Sequence, residues 1–575
     1  MILTFSCRSA VDKFQSKEIV IGQFGEKIDD YLSGLEPFGL SGSFLVAEND
    51  TIVFHKAYGL ANRDELVENT NNTLFSTGSI TKQFTATAIL KLEEEGLLDT
   101  SDPISLFLEN VPSDKRTITI HHLLTHTSGL PVIVSKDDFD PITREEFIER
   151  LMNNPLAFQP GSDFLYSNSA YGLLAIIIEN LSGKTYDKFL ATELFSLADV
   201  STIGYDVAIW ENMEEAHNYL DDRDYGTFQE RNYPNWNLIG NGGLLTTSMD
   251  LYKWMSVLKS DRLISELSRK KLFTPFLEDF AYGWEVYDDN GQMIEHTGSG
   301  DGNNSLVQWF VGKDILFIGL SNYSFDGKDL LDYLYDDIFA LVHHKEIQSL
   351  PNVDLDLIGS IDSSQIGAGT YRFDSTSHIS IQPFGMGFRI RTIGQEARNL
   401  FEHGEEYIPH LYDAKNKTAF ESFQLAIEKD DFSGFRKLID NEKRISRIRK
   451  FLMSFIQDLG FEDPKVLPYI SERNEDGLQS YVTISDGKKV INKNKRYPFL
   501  SIVWKEDDTY LGIGSITQVP RNPSYYFVKN AANGFVGFNW NTKKVRNIFM
   551  ESSKEKSNKI KINVEGRNEF ELDKF

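Results

Sequence analysis

Ser79 and Lys82 lie three positions apart, where a short apolar strand pattern gives way to a helical one. Side chains three residues apart on a helix project from the same face, so the Lys82 amine can reach the Ser79 hydroxyl. A serine hydroxyl is a weak nucleophile until a neighbouring base takes its proton. The positive end of the helix dipole also favours the anion that forms on attack. The spacing therefore indicates nucleophilic catalysis by Ser79.

The Ser-x-x-Lys pattern alone is weak evidence, because it also begins at Ser256, Ser268, Ser485 and Ser553. Only the occurrence at Ser79 follows a short strand and a turn and opens a segment with apolar residues at helical spacing. We expect that segment to form a helix over residues 80–95. The other occurrences lie in polar helices, a turn and a lysine-rich segment, where nothing favours a nucleophile.

Two further strings carry polar groups that such a serine needs. Tyr166-Ser167-Asn168 precedes an apolar run predicted to be a helix, and His296-Thr297-Gly298 lies between two predicted strands. Tyr-x-Asn occurs a second time at Tyr233, whereas His-Thr-Gly occurs once. The three strings in this order, each in its structural setting, are strong evidence, although each alone is weak.

In these strings the chain resembles the serine β-lactamase and penicillin-binding-protein superfamily. It is most similar to the class C β-lactamase-like branch, which includes esterases and D-amino-acid peptidases. Two further strings support the resemblance: Leu123-Leu124-Thr125-His126-Thr127-Ser128-Gly129-Leu130 and Gly242-Gly243-Leu244-Leu245-Thr246-Thr247-Ser248. The resemblance covers about residues 20 to 345 and implies an α+β fold, in which helices flank an antiparallel sheet.

The resemblance implies a role for each matching residue. Ser79 would be the acylated nucleophile. Lys82 and Tyr166 would share the work of the general base, and which of them takes the proton is left open. A tyrosine titrates near 10 and serves as a base near neutrality only where a cation such as Lys82 lowers its pKa. The Asn168 amide, with one acceptor and two donors, would orient Lys82 and a substrate carbonyl.

The third string departs from many penicillin-recognising members, which carry lysine at the position of the histidine. The resemblance implies that the substrate site is lined by Asn168 together with four residues at this string: His296, Thr297, Gly298 and Ser299. The backbone amides of Ser299 and Ser79 would form the oxyanion hole. Histidine is mostly neutral at pH 7, so a clamp on a substrate carboxylate would be weak and pH-dependent. We therefore expect poor β-lactam turnover and a preference for esters, amides or peptides.

These residues predict a serine hydrolase that acts through an acyl-enzyme on an ester, amide or peptide bond. The alternative is a penicillin-binding-like peptide sensor, a pseudoenzyme without turnover. A third hypothesis places the function in residues 360–575. The predicted chemistry requires no cofactor. His122 and His126 have the i, i+4 spacing of a zinc pair but lack the glutamate of a metalloprotease, so no metal site is predicted.

Composition restricts the partners. The chain has 59 lysine and arginine residues against 85 aspartate and glutamate residues, a net charge of -26. This charge argues against binding to nucleic acid and to anionic lipid surfaces, so a small molecule or a peptide is the expected substrate. No apolar run approaches the ~18 residues of a transmembrane span. The sequence leaves the oligomeric state open.

The single cysteine, Cys7, follows a short apolar run over residues 1–6. This resembles the end of a bacterial lipoprotein signal, in which the cysteine is lipidated. The run is shorter than a signal-peptide core, however, and no basic residue precedes it. Two placements are open: a lipid-anchored protein of the cell envelope or periplasm, or a cytoplasmic protein with an incidental Cys7. The resemblance to a family that works on envelope substrates favours the first.

At 575 residues the chain exceeds what one core usually supports, so two or three domains are expected. We expect a tail over residues 1–20, a hydrolase domain over 21–345, a linker over 346–358 and an accessory region over 359–575. In the hydrolase domain, strands at both ends with helices between them predict an antiparallel sheet with helices packed against it. The accessory region is predicted to be strand-rich α+β, as one or two small modules, and contains no chemical motif.

Overall fold

The computed structural model describes residues 17–347 apart from 222, 232, 288–291 and 326–327, and beyond them Leu350 and separate segments between 369 and 574. We call residues 17–347 the N-terminal region. Its α-helices are α1 Gly22–Leu35, α2 Thr81–Glu94, α3 Ile120–Leu124, α4 Arg144–Asn153, α5 Asn168–Ser182, α6 Tyr186–Phe189, α7 Ser248–Leu258, α8 Glu266–Leu272 and α9 Leu330–Val342.

The strands of the N-terminal region are β1 Ile19–Val20, β2 Gly42–Glu48, β3 Thr51–Tyr58, β4 Leu60–Asn62, β5 Val67–Glu68, β6 Phe75–Ser76, β7 Tyr219–Leu220, β8 Arg223–Asp224, β9 Leu245–Thr246, β10 Glu285–Tyr287, β11 Met293–Ser299, β12 Asn304–Phe310, β13 Ile315–Ser321, β14 Tyr323–Phe325 and β15 Lys328–Asp329. The later strands are β16 Gly369–Arg372, β17 His378–Phe384, β18 Gly387–Ile393, β19 Pro464–Asn474, β20 Gly477–Asp486, β21 Phe499–Trp504, β22 Tyr510–Ile516, β23 Ser524–Lys529, β24 Gly534–Phe538, β25 Val545–Ser552, β26 Lys559–Val564 and β27 Glu569–Lys574.

A seven-stranded antiparallel sheet, in the order β1-β3-β2-β13-β12-β11-β10, joins the two ends of the N-terminal region. β2 and β3 form the hairpin that the sequence predicts around residues 48–51. β13 comes much later in the chain, yet it pairs directly with β2, with Ile318 opposite Leu45. The prediction of an antiparallel sheet assembled from both ends of the region is therefore confirmed.

The sequence pattern predicts a strand over residues 280–287, but only β10, Glu285–Tyr287, forms at its end. Ahead of β10 the backbone turns at Gly283, whose φ is +73°, and Ala281 N donates to Trp284 O at 2.8 Å. A Cβ on Gly283 would lie 2.8 Å from the Lys82 carbonyl oxygen. The turn replaces the strand here because the backbone must pass closely over α2.

Helices cover both faces of the sheet. On one face α2 buries every residue from Thr81 to Leu90, and α5 buries every residue from Ser169 to Ile178. The other face packs against α1 and α9. Successive strand residues point to opposite faces, so Leu45 belongs to the core with α2 and α5, and Phe44 to the core with α1 and α9.

The later strands form a closed barrel in the order β16-β17-β18-β23-β24-β25-β26-β27. A separate four-stranded sheet, β19 to β22, is inserted in the sequence between β18 and β23. The predicted strand-rich region is thus confirmed, although the sequence pattern did not identify β19 or β25 to β27. Helices predicted over 432–438 and 444–459 lie largely outside the described residues, as does the linker over 346–358. The domain boundaries stay predictions.

Buried aromatic contacts join the barrel to the N-terminal region. Trp540, which follows β24 and is 2% exposed, donates from Nε1 to Phe38 O at 3.0 Å. The ring centroid of Trp540 lies 5.6 Å from that of Phe325, and the Phe538 centroid lies 5.4 Å from that of Phe38. These rings belong to the core formed with α1 and α9. The barrel therefore extends the core on that face of the sheet.

Candidate active site

Ser79 lies in the single helical turn Gly78–Ile80, immediately before α2. Two hydrogen bonds hold Thr77, the residue before this turn. Thr77 N donates to Leu244 O at 2.7 Å, and Ser305 Oγ donates to Thr77 O at 2.6 Å. Ser79 is partly exposed, whereas its two neighbours are buried. The fold therefore presents one hydroxyl on an anchored turn at the positive end of a helix.

Lys82 is fully buried in the first turn of α2, and its Nζ lies 3.0 Å from Ser79 Oγ. Nζ also donates to Asn241 O at 2.7 Å and lies 4.8 Å from the centre of the Tyr166 ring. Burial lowers the pKa of Lys82 well below its usual 10.5, and the Asp138 carboxylate offsets part of that effect. A neutral amine at this position can accept the serine proton.

Tyr166 precedes α5, and its side chain lies within interaction range of the Ser79 side chain. Burial raises the pKa of Tyr166 above its ordinary value near 10, although the interaction with Ser79 opposes the rise. The condition for a tyrosine base, a pKa held down by Lys82, is therefore not met. Tyr166 keeps its proton at neutral pH, so it is placed to donate a proton and Lys82 to accept one.

A close approach of two backbones brings two amide groups together. A Cβ on Gly298, in β11, would lie 2.2 Å from Thr77 O and 2.9 Å from Ser79 N. A Cβ on Gly78 would lie 2.9 Å from Ser299 N. Glycine at both positions lets the strand and the turn touch, which places the amides of Ser79 and Ser299 side by side. Such a pair of donors can bind an oxyanion.

The other predicted substrate residues lie on α5 and β11. Asn168 opens α5, and its buried Oδ1 has no hydrogen-bond partner among the described residues. Asn168 lines a small cleft together with Asp138 and Asn237, which the sequence patterns did not identify. Thr297 and Ser299 are exposed on β11. The structure thus brings the three strings together at one end of the strand β11.

His296 is 2% exposed, and its own strand fixes the orientation of the imidazole. Nδ1 lies 2.6 Å from Thr297 O. Burial, and to a smaller extent the nearby Lys82, lowers the pKa of His296 to about 3. The expectation of a clamp whose charge depends on pH near neutrality is therefore wrong, because the buried imidazole stays neutral throughout that range.

His126 belongs to the site, although sequence reasoning gave it no catalytic role. It is fully buried, and its Nδ1 accepts from Ser167 N at 3.0 Å. Its ring centroid lies 4.3 Å from that of Tyr166. Burial, more than any other effect, holds the pKa of His126 well below its ordinary value. The signal that could have found it is its place in the string Leu123–Leu130, which carries the family resemblance.

The structure describes the lysines of two other Ser-x-x-Lys strings, and both are ion-paired. Lys259 Nζ lies 2.7 Å from carboxylate oxygens of both Asp50 and Asp314. Lys271 Nζ lies 2.7 Å from a carboxylate oxygen of Glu93. An ammonium held by a carboxylate does not accept a proton, so neither string supports a nucleophile. The lysines of the remaining two strings lie outside the described residues.

Within the described part of the chain, no group of three or more histidine, cysteine, aspartate or glutamate side chains is arranged to hold a metal ion. His122 instead caps α3, because its Nδ1 accepts from Thr119 N at 3.2 Å. Over the same residues, no helix has both the length and the apolar character needed to cross a bilayer. Cys7 lies outside the described residues.

Comparisons with known proteins match the region that holds the site. The family model for Beta-lactamase matches residues 39–340. Penicillin-binding protein 4* of Bacillus subtilis (strain 168) is 30% identical over 313 residues, 50% of this chain and 69% of that protein. Protein flp of Staphylococcus aureus (strain N315) is 25% identical over 331 residues, 54% of this chain and 65% of that protein. The solved octameric penicillin-binding protein homologue from Pyrococcus abyssi is 20% identical, with a TM-score of 0.51 over 86% of this chain and 98% of that one. That likeness is one of fold.

Proposed function

Because the chain belongs to the Beta-lactamase family, whose chemistry proceeds through an acylated serine, we propose that it is a serine hydrolase in which Ser79 is acylated by an ester, amide or peptide. The observation that carries this proposal is the distance of 3.0 Å between Lys82 Nζ and Ser79 Oγ. Burial keeps the pKa of that amine low. A neutral amine at this distance can take the hydroxyl proton as the oxygen attacks.

In the proposed acylation, Lys82 takes the proton while Ser79 Oγ bonds to the substrate carbonyl carbon. The backbone amides of Ser79 and Ser299 bind the oxyanion, and losing one such donor typically costs about 2.7–4 kcal/mol of transition-state stabilisation. Tyr166, which burial keeps protonated, donates its proton to the leaving group, and Lys82 then replaces that proton. Asn168 orients the substrate carbonyl by donating from its amide nitrogen, while its amide oxygen, which has no partner among the described residues, is available to accept from Lys82.

We expect substrates that lack an anionic anchor. The neutral His296 gives no positive charge at the position where many penicillin-recognising relatives have lysine, so a carboxylate on the substrate gains little there. Esters, amides or peptides should therefore react faster than β-lactams. Hydrolysis of a cephalosporin near the diffusion limit at pH 8 would contradict this part of the proposal.

A substrate panel tests the proposal against the competing hypothesis, a penicillin-binding-like peptide sensor without turnover. Nitrophenyl esters, D-alanyl peptides and nitrocefin would be compared for the parent, for Ser79→Ala and for the control Ser256→Ala. Ser256 also begins a Ser-x-x-Lys string, but its Oγ donates to Tyr252 O at 2.9 Å. Turnover in the parent and the control, lost in Ser79→Ala, is the expected result. A stable penicillin adduct with no turnover would favour the sensor.

We also propose that the protein works at the cell envelope, attached through a lipid on Cys7. The position of Cys7 after a short apolar run and the similarity to a penicillin-binding protein support this placement. Cells given an alkyne-tagged fatty acid should label the parent but not Cys7→Ala. An unlabelled parent in the soluble fraction would favour the cytoplasmic alternative.

A further inference from the structure

Two buried imidazole nitrogens of the site, Nε2 of His126 and Nε2 of His296, have no hydrogen-bond partner among the described residues. The two residues are 0% and 2% exposed. Buried polar atoms in folded proteins are nearly always paired, either with protein groups or with ordered water. Two such atoms in one active site therefore indicate a bound polar group.

The backbone fixes the proton on each ring. His126 Nδ1 accepts from Ser167 N, so the proton of that neutral ring is on Nε2. His296 Nδ1 lies 2.6 Å from Thr297 O, and because a carbonyl oxygen only accepts, the proton of this ring is on Nδ1. Burial lowers the pKa of both imidazoles, so neither is charged. One free nitrogen is therefore a donor and the other an acceptor.

The two rings lie in the same wall of the site. Both pack edge-on against Phe280, with ring centroids 5.3 Å away for His126 and 6.5 Å away for His296. The His126 ring also contacts the Tyr166 ring, and Lys82 lies close enough to act electrostatically on both imidazoles. The two rings thus share an aromatic neighbour and lie within electrostatic range of the amine that accepts protons in the proposed mechanism.

We propose that His126 and His296 form a binding site for one water molecule, and that this water hydrolyses the acyl-enzyme. The water would accept from His126 Nε2 and donate to His296 Nε2. A carboxylate has no proton to donate to His296, and an ammonium has no lone pair to accept from His126, whereas a water molecule satisfies both. The inference rests on the proposed function and supplies a binding place for the water molecule that hydrolysis consumes.

In deacylation, the water oxygen bonds to the acyl carbonyl carbon while its second proton passes to Lys82. The bond from that carbon to Ser79 Oγ then breaks, and the serine oxygen recovers a proton from Lys82. The products are the free carboxylic acid and the resting enzyme. His126 and His296 exchange no proton in this step. They are positioning residues, because their two hydrogen bonds leave one lone pair of the water free for attack.

Two substitutions at His126 separate the functions of its nitrogens. His126→Asn supplies an oxygen near Nδ1, which can still accept from Ser167 N, but it has no donor at the Nε2 position. His126→Gln supplies an amide donor near Nε2. With a nitrophenyl ester in stopped-flow experiments, we expect His126→Asn to slow deacylation by about 100-fold and to leave acylation nearly unchanged. His126→Gln should restore most of the deacylation rate.

Two matching substitutions at His296 test its acceptor nitrogen, Nε2. His296→Asn keeps a donor for Thr297 O but loses the acceptor at Nε2, so it should also slow deacylation selectively. His296→Gln supplies an oxygen near Nε2 and should recover part of the rate. Equal slowing of acylation and deacylation in all four variants would show a merely structural role and overturn the proposal.

A crystal structure of the parent protein tests the water site without relying on turnover. It should show one water within hydrogen-bond distance of both Nε2 atoms. A direct bond between His126 and His296, or no water between them, would overturn the inference. A parent that is never acylated on Ser79 would instead contradict the proposed function, so the two failures are distinguishable.

Discussion

Two adjacent buried polar residues of β11, on opposite faces of the sheet, differ in their hydrogen-bond partners. His296 faces Lys82, and its neighbour Glu295 faces the opposite side of the sheet. Glu295 is 4% exposed, and its carboxylate accepts from Tyr335 OH at 2.9 Å and from Gln308 Nε2 at 2.7 Å. His296 Nε2, in contrast, has no partner among the residues that the structure describes. Two adjacent residues of one strand are thus buried for different reasons.

The contrast assigns different roles to the two faces of β11. Glu295 has protein partners that hold one arrangement of the chain, whereas His296 Nε2 keeps its hydrogen-bonding capacity free within reach of the candidate site. The Glu295 side belongs to the fold, because α9 carries Tyr335 and packs into the core that the barrel extends. The His296 side holds the proposed site. Substitutions on the two faces should therefore change different measurements.

The largest effect is expected on the chemical face, at Lys82. Lys82→Met keeps a long side chain but removes the base, so acylation by a nitrophenyl ester should fall by about 10⁴-fold. Thermal unfolding should show no loss of stability, since the substitution removes a buried amine. Lys91→Met, on the same helix but partly exposed, is the matched control and should keep full activity. Normal acylation by Lys82→Met would assign the base to another residue.

A smaller loss is expected at Gly298. In Gly298→Ala, the new methyl group would lie 2.2 Å from Thr77 O and 2.9 Å from Ser79 N, which must push the two oxyanion amides apart. We expect kcat to fall by about 10²- to 10³-fold. In the control Gly242→Ala, the nearest contact is 3.5 Å, to Leu238 Cδ2, and kcat should change little. Equal activities of the two variants would contradict the assigned oxyanion hole.

The smallest catalytic effect is expected on the opposite face, at Glu295. Burial raises the pKa of Glu295 from 4.5 to about 7. The folded protein therefore holds a proton that the unfolded chain releases, and stability should fall as pH rises from about 4.5 through about 7. At roughly 1.4 kcal/mol per pKa unit, the free energy of unfolding should drop by about 3 kcal/mol. In urea unfolding at several pH values, Glu295→Gln should lack this drop while kcat stays unchanged. A large fall in kcat would erase the contrast between the two faces.

Local features of the site could be predicted from the sequence. The contact of Ser79 with Lys82 follows from helical spacing alone, and the hairpin of β2 and β3 follows from its turn. The carbonyl of Asn241 and the ring of His126 reach Lys82 and Tyr166 only through the tertiary fold, so spacing could not identify their contacts. Burial decides the pKa values in the site, and burial is likewise a property of the folded chain.

Two different causes explain why the sequence pattern did not identify β19 and β26. β19 contains Pro464 and Pro468, and proline argues against a strand because it cannot donate to the ladder. The pairing of β19 with β20 shifts in register just after Pro468, between it and Ile470, which accommodates the residue. β26, Lys559–Val564, alternates between polar and apolar residues with a period of two, so its sequence alone indicates a strand.

The central claim, that Ser79 is acylated and then freed, is tested most directly by intact mass. A time course after mixing with a nitrophenyl ester should show one acyl group added to the parent and then lost at the rate of steady-state turnover. Ser79→Ala should gain none. If the parent formed product at the same rate as Ser79→Ala, or if the added acyl group were found on a residue other than Ser79, the account would be contradicted.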